Sequence, residues 1–151
     1  MTHKLDDRAL DRLFRTARTR NGWTGQPATE QQVRELYDLM KLGPTSANCC
    51  PACFVWVRSA EGKSRLAALA ATTNTPKILA APATVIIGHD LGFAEQLPRL
   101  FPARGTDMQA YYPDPLVAQA TAFRKSSLQG AYLNIAARTG IGLRSGIRLQ
   151  E

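Results

Sequence analysis

Gly43-Pro44-Thr45-Ser46-Ala47-Asn48-Cys49-Cys50-Pro51 divides a segment of helical periodicity from one of strand character. On its N-terminal side, Thr29-Glu30-Gln31-Gln32 reads as a capping box, and Val33, Leu36, Tyr37 and Met40 recur at helical spacing. This predicts a helix over about 30–42, with Gly43 as its C-cap and Pro44 preventing its continuation. On the other side, Phe54-Val55-Trp56-Val57 is an apolar, β-branched and aromatic run that predicts a strand near 53–58. The loop between them is expected to present two hydroxyls and a carboxamide beside free backbone N–H groups. Such a donor and acceptor set suits a planar heterocycle better than a metal ion or a nucleophilic attack.

Working outward, Ala9, Leu10, Leu13, Phe14 and Ala17 form an apolar stripe that predicts a first helix near 6–18, ending before Asn21-Gly22. Arg65 to Ala71 reads as a short helical segment broken at Thr75-Pro76, and Ala83 to Gly88 as a second buried strand. Pro98, Pro102, Pro113 and Pro115 punctuate a stretch whose composition suits an irregular, mobile surface segment. Leu116 to Arg138 predicts a long Ala-rich helix with Ala120, Phe123, Ser127, Ala131 and Ile135 along one face and Gly140 as its stop. Two strands and four helices do not complete a layered α/β structure, so a partner subunit or further chain is expected to finish the sheet.

The 151 residues are 44% hydrophobic, which is enough apolar material for one domain with its own core. The net charge of +7 favours anionic ligands. Six basic residues, Lys4, Arg8, Arg12, Arg15, Arg18 and Arg20, are half offset by Asp6, Asp7 and Asp11, as on a solvated helix. No nucleic-acid motif accompanies the basic composition, so no nucleic-acid partner is expected. The N-terminus is charged and lacks an apolar h-region, and no window approaches the roughly twenty apolar residues of a membrane span. A cytoplasmic protein without a membrane partner is the expectation.

All three cysteines fall within Cys49 to Cys53. Cys50-Pro51-Ala52-Cys53 has CxxC form, but a strand follows it rather than the helix of a thioredoxin-like site. A zinc site would need a fourth ligand, and the histidines are His3 and His89. Reduced thiols lining a loop, with no metal, are expected. Gly140-Ile141-Gly142 follows a helix and lacks the third glycine of a dinucleotide fingerprint. For Arg18 and Arg20, spacing alone favours capping of their own helix over holding a phosphate. Lys77, beside Asn74 at the edge of a buried strand, could face a bound ring, although most such lysines are solvated.

Five motifs in this order resemble the FMN-dependent nitroreductase family, and most closely its malonic semialdehyde reductase (3-hydroxypropanoate dehydrogenase) branch of pyrimidine catabolism. They are Ala17 to Trp23, Leu39 to Cys49, Asn74-Thr75-Pro76-Lys77, Leu97 to Pro102 and Phe123 to Gln129. The resemblance implies an α+β fold, a three-layer α/β/α arrangement with a mixed central sheet, in a single domain over 1–151. It also implies a homodimer with flavin sites at the subunit interface, and NADH or NADPH as electron donor. By the same resemblance Arg18, with Arg20, would hold the FMN phosphate, and Asn74 and Lys77 would face the pyrimidine edge of the ring. Pro44, Thr45, Ser46 and Asn48 would reach the flavin from the other subunit, with Gln129 a further contact. The flavin carries the hydride, so no catalytic side chain is implied. Lys77 would stabilise the negative charge that reduction places near N1 and O2.

Family members continue beyond position 151 and carry a glycine-rich flavin loop there. This implies that the sheet is incomplete and that about 143–151 is an off-family tail, and a frameshifted or wrongly predicted gene end is the expectation. The alternative function is a non-catalytic remnant of the family with weak or no flavin binding.

Overall fold

The computed structural model describes residues 4–19, 22–23 and 25–140. The order of elements begins with α1 (Asp7–Leu10), a π-helical turn (Asp11–Arg15), α2 (Glu30–Met40), a 3-10 turn (Ser46–Asn48) and β1 (Ala52–Val57). It continues with α3 (Ala60–Leu69), α4 (Thr75–Ala80), β2 (Thr84–His89), a second 3-10 turn (Phe93–Gln96), α5 (Leu97–Leu100), α6 (Gly105–Gln109) and α7 (Pro115–Arg138).

The capping box forms as its spacing dictates. Thr29 Oγ1 accepts from Gln32 N, and Gln32 Oε1 accepts from Thr29 N, which satisfies two otherwise orphaned donors at the start of α2. Val33, Leu36 and Met40 are buried, while Tyr37 lies at the rim with an edge-to-face contact to Phe54.

The strands pair antiparallel, with Val55 opposite Ile86 and Phe54 opposite Ile87. Alternation sends Phe54, Trp56, Val85 and Ile87 to one face, where they pack on Leu36, Met40, Leu133, Ala136 and Ala137. Val55 and Ile86 point the other way and remain exposed. Among the described residues the sheet has these two strands, so the α+β class holds while the expected mixed sheet reduces to one antiparallel pair.

A second apolar cluster joins Cys49, Phe93, Leu97, Ala118 and Ala122. The N-terminal half of α7 serves this cluster and its C-terminal half serves the first. Small alanines on both halves let neighbouring backbone approach closely.

Several expectations need correction. The buried face of α7 is Ala118, Ala122, Ser126, Gln129, Leu133 and Ala136, whereas Phe123 is 62% exposed and Ser127 and Ala131 face solvent. The Ala-rich composition leaves so little amphipathic contrast that the larger Phe123 misdirects the phase. The stretch from 98 to 115 does lie mostly at the surface, but it is not wholly irregular, since α5 and α6 run through it. The helical turns that lead into it bury Phe93 and Leu97, and Pro98 and Pro115 occupy first turns, where a missing N–H costs nothing.

Pro76 likewise opens a helix, so Lys77 sits on α4 and not at a strand edge. The first helix changes from α to π geometry after Leu10, continues to Arg15 and buries no residue. It is held instead by polar contacts: Arg12 Nε donates to Arg138 O at 2.7 Å, and Arg138 Nη1 to Leu13 O at 2.8 Å.

Gly43 is not a left-handed helix cap, since the positive-φ glycines among the described residues are Gly25 and Gly140. Its role is close approach: a Cβ there would lie 2.2 Å from Tyr132 Cδ2.

Candidate functional site

The loop from Pro44 to Pro51 carries three backbone anomalies within four positions. Ala47, Asn48 and Cys50 adopt φ of 50°, 52° and 38°, in the left-handed region where a side chain crowds the backbone. Each such residue costs on the order of 1–3 kcal/mol, and strain of this kind persists only where surrounding structure over-determines it.

Polar contacts supply that determination. Thr45 Oγ1 accepts from Cys50 N at 3.2 Å and lies 3.5 Å from Cys50 Sγ. Asn48 Nδ2 donates to Leu100 O at 2.7 Å, while its Oδ1 accepts from the Cys50 thiol at 3.4 Å. Tyr132 Oη donates to Pro44 O at 2.9 Å, and Ala52 N donates to Gln129 Oε1 at 2.9 Å.

The residues singled out from sequence therefore play different parts. The side chains of Thr45 and Asn48 build the loop itself. Ser46 stays exposed, and its hydroxyl and the N–H groups of Ser46 and Ala47 have no partner among the described residues. Gln129 is 4% exposed and spends its carbonyl on β1.

Asn74 caps α4, its carbonyl accepting from Lys77 N and Ile78 N, and α4 packs chiefly on α3. Lys77 is half-buried, and its ammonium has no hydrogen-bond or ion-pair partner among the described residues. Arg18 Nη1 donates to the carbonyls of Ala17 and Arg15, the capping role that spacing favours. Arg20 and the tail 143–151, with its proposed change of reading frame, lie outside the described residues. The structure thus ties the loop of Pro44, Thr45, Ser46 and Asn48 to α7, which carries Gln129, and to α5, and sets Asn74 and Lys77 at α4 and Arg18 beyond the first helix.

Sequence reading missed Tyr132. It lies 88 residues from Pro44, and no local pattern signals the contact.

The three thiols are free: Cys49 is buried, Cys50 half-buried and Cys53 exposed. Among the described residues no group of three His, Cys, Asp or Glu side chains is placed to hold a metal. Burial pushes the Cys49 thiol above its ordinary range, with the Cys50 sulfur adding to the effect and the Lys125 charge opposing it. Burial likewise raises the Tyr112 phenol.

Both groups are acids kept neutral by the fold, so the unfolded chain releases their protons first as pH rises. Stability is therefore expected to be fully present below the ordinary thiol range. It should fall as pH climbs from there toward the raised native values. Urea midpoints measured from pH 7 to 10 check this. A midpoint that rises or holds level over that window in a Cys53→Ser background, free of the exposed thiol, contradicts it.

No family model matches the chain. A provisionally named NADH dehydrogenase/NAD(P)H nitroreductase from a Caulobacter species is 54% identical over 143 residues, covering 95% of this chain and 72% of that relative. The chain belongs to the nitroreductase family. A relative of the same name from Stenotrophomonas maltophilia is 52% identical over 147 residues, covering 97% of this chain and 74% of its own length.

Solved nitroreductase folds agree with the family at the level of architecture. A nitroreductase-type protein from Bacillus subtilis superposes with a TM-score of 0.77 at 19% identity, over 88% of this chain and 71% of its own. Another, from Exiguobacterium sibiricum and solved in complex with FMN, also gives 0.77 at 19% identity, over 91% and 72%. Among the described residues of this nitroreductase-family chain, no helix is long and apolar enough to cross a membrane.

Proposed function

We propose that this chain is an FMN-dependent NAD(P)H oxidoreductase. The carrying observation is the high identity to NAD(P)H nitroreductase-named relatives across a segment that includes the strained loop. The donor set fits the cofactor. The Ser46 hydroxyl, the N–H groups of Ser46 and Ala47, and the unpartnered Lys77 ammonium are all donors, and one edge of an isoalloxazine ring is rich in acceptors. When bound, FMN supplies a hydride carrier between nicotinamide and acceptor.

The chain's own groups bind and polarise. Lys77 places a positive charge, and Asn74 a carboxamide, against the pyrimidine edge. Pro44, Thr45, Ser46 and Asn48 border the ring from the second subunit of a homodimer, and the Gln129 amide stands behind them. Arg18, whose Nη1 is occupied by the Arg15 and Ala17 carbonyls, retains Nε and Nη2 for the phosphate, and Arg20 is the second residue proposed to hold it. Placement of Asn74 and Lys77 on a different element from the loop suits a site shared between two subunits.

The acceptor we propose is malonic semialdehyde or a related small aldehyde, with nitro compounds and quinones as further acceptors and a cytoplasmic setting. In net terms the aldehyde carbon gains a hydride from NAD(P)H and the carbonyl oxygen gains a proton from solvent. The products are the alcohol and NAD(P)⁺. A basic protein, +7 overall, favours such an anionic substrate.

The visible spectrum of the purified protein, with quantitation of released flavin, tests the reading. Near-stoichiometric FMN is expected. Colourless protein that takes up no FMN on reconstitution overturns it.

A further inference from the structure

The loop 44–51 holds three non-glycine residues in the left-handed region within four positions, Ala47, Asn48 and Cys50. Left alone, such a segment relaxes. The contacts inside it, Thr45 with Cys50 and Cys50 with Asn48, fix its shape but not its position on the protein. Position comes from outside, and the entry and exit of the loop are tied to the same helix. At the exit, Gln129 of α7 receives Ala52 N. At the entry, one turn further along α7, Tyr132 donates to Pro44 O.

The tyrosine contact is built by two features together. The ring of Tyr132 occupies the volume a Cβ on Gly43 would need, with Cδ2, Cε2 and Cγ all within 2.2 to 2.5 Å of that point. Only glycine at 43 lets the ring lie there, and only then does the phenol reach the next carbonyl in the chain. Proline at 44 donates no N–H, and its carbonyl is the group that Tyr132 uses to orient the turn into Thr45. The same residue packs against the first apolar cluster, so its ring is braced by the core.

We propose that Tyr132 is a positioning residue for the flavin-contacting loop, acting through the Pro44 carbonyl. The proposal rests on the FMN reading above for its functional consequence, and on the geometry alone for its structural one. Losing a neutral hydrogen bond of this kind changes an equilibrium by about two- to tenfold.

The experiment compares wild type, Tyr132→Phe and the control Tyr111→Phe, whose ring is exposed. Two quantities are read: amide hydrogen exchange, residue by residue, and FMN affinity by fluorescence titration. In Tyr132→Phe the amides of Asn48, Cys49 and Cys50 should exchange about two- to tenfold faster, while those of Val55 and Trp56 in β1 hold their wild-type rates. The FMN dissociation constant should rise by a similar factor, and Tyr111→Phe should change neither.

Exchange that rises equally in the loop and in β1 assigns Tyr132 to general stability and overturns the proposal. Unchanged loop exchange with unchanged affinity also overturns it. Wild-type protein that binds no FMN, with loop exchange still selectively faster in Tyr132→Phe, removes the flavin reading and leaves the anchoring role standing.

Discussion

Gly105→Ala is expected to destabilise the protein by about 3 kcal/mol or more, among the largest effects of any single methyl group added to this fold. A Cβ at 105 would stand 2.0 Å from Leu97 O, 2.4 Å from Leu97 C and 2.7 Å from Pro98 Cα. All three are backbone atoms of α5, so no rotamer change relieves the overlap. The first turn of α6 would have to lift away from α5, and Gly105 N donates to Phe101 O within that junction. Lifting it pulls on Leu97, which is fully buried in the cluster with Cys49 and Phe93. Urea unfolding measures the loss directly. A variant within about 1 kcal/mol of wild type would mean that α5 and α6 can slide apart at little cost, against the close approach described above.

Lys77→Met is expected to slow reduction of bound FMN by NAD(P)H by about a hundredfold, on the function proposed above. The half-buried ammonium has no protein partner among the described residues, so replacing it removes charge without breaking an internal contact. The unfolding midpoint should therefore stay near that of wild type, while the rate falls and Lys77→Arg recovers part of it. Reduction at the wild-type rate in Lys77→Met would detach this residue from the flavin chemistry.

Elements set by local chemistry were legible in the sequence. The α2 start was readable because a side chain three residues from its cap closes a reciprocal pair of bonds. Both strands were readable because β-branched and aromatic runs have few alternatives. Elements set by contact between distant segments were not. The prolines at 76 and 98 read as breakers, since sequence does not say on which side of a proline a helix lies.

The phase of α7 failed because alanines on all sides leave the choice of buried face to its neighbours. Gly43 was noticed for the wrong reason: its missing side chain makes room for Tyr132 rather than for a left-handed turn. The loop itself stood out as a site from its residue types. Its internal organisation, in which Thr45 and Asn48 hold the shape and the Ser46 hydroxyl has no partner among the described residues, depends on backbone angles that residue types do not encode.

The double duty of α7 bears on the order of events during synthesis. A nascent chain emerges with its N-terminus first, and domains fold as units once their parts are available. Here α2 and both strands appear early, yet the residues that close their core, Leu133, Ala136 and Ala137, come from the far end of α7. The second cluster waits for the same helix through Ala118 and Ala122, and the loop waits for Gln129 and Tyr132. From the emergence of β2 until the end of α7 follows it, the ribosome therefore presents a chain with the apolar face of its two-stranded sheet uncovered. That interval is when a chaperone has most to shield and when neighbouring chains on a polysome have most to find.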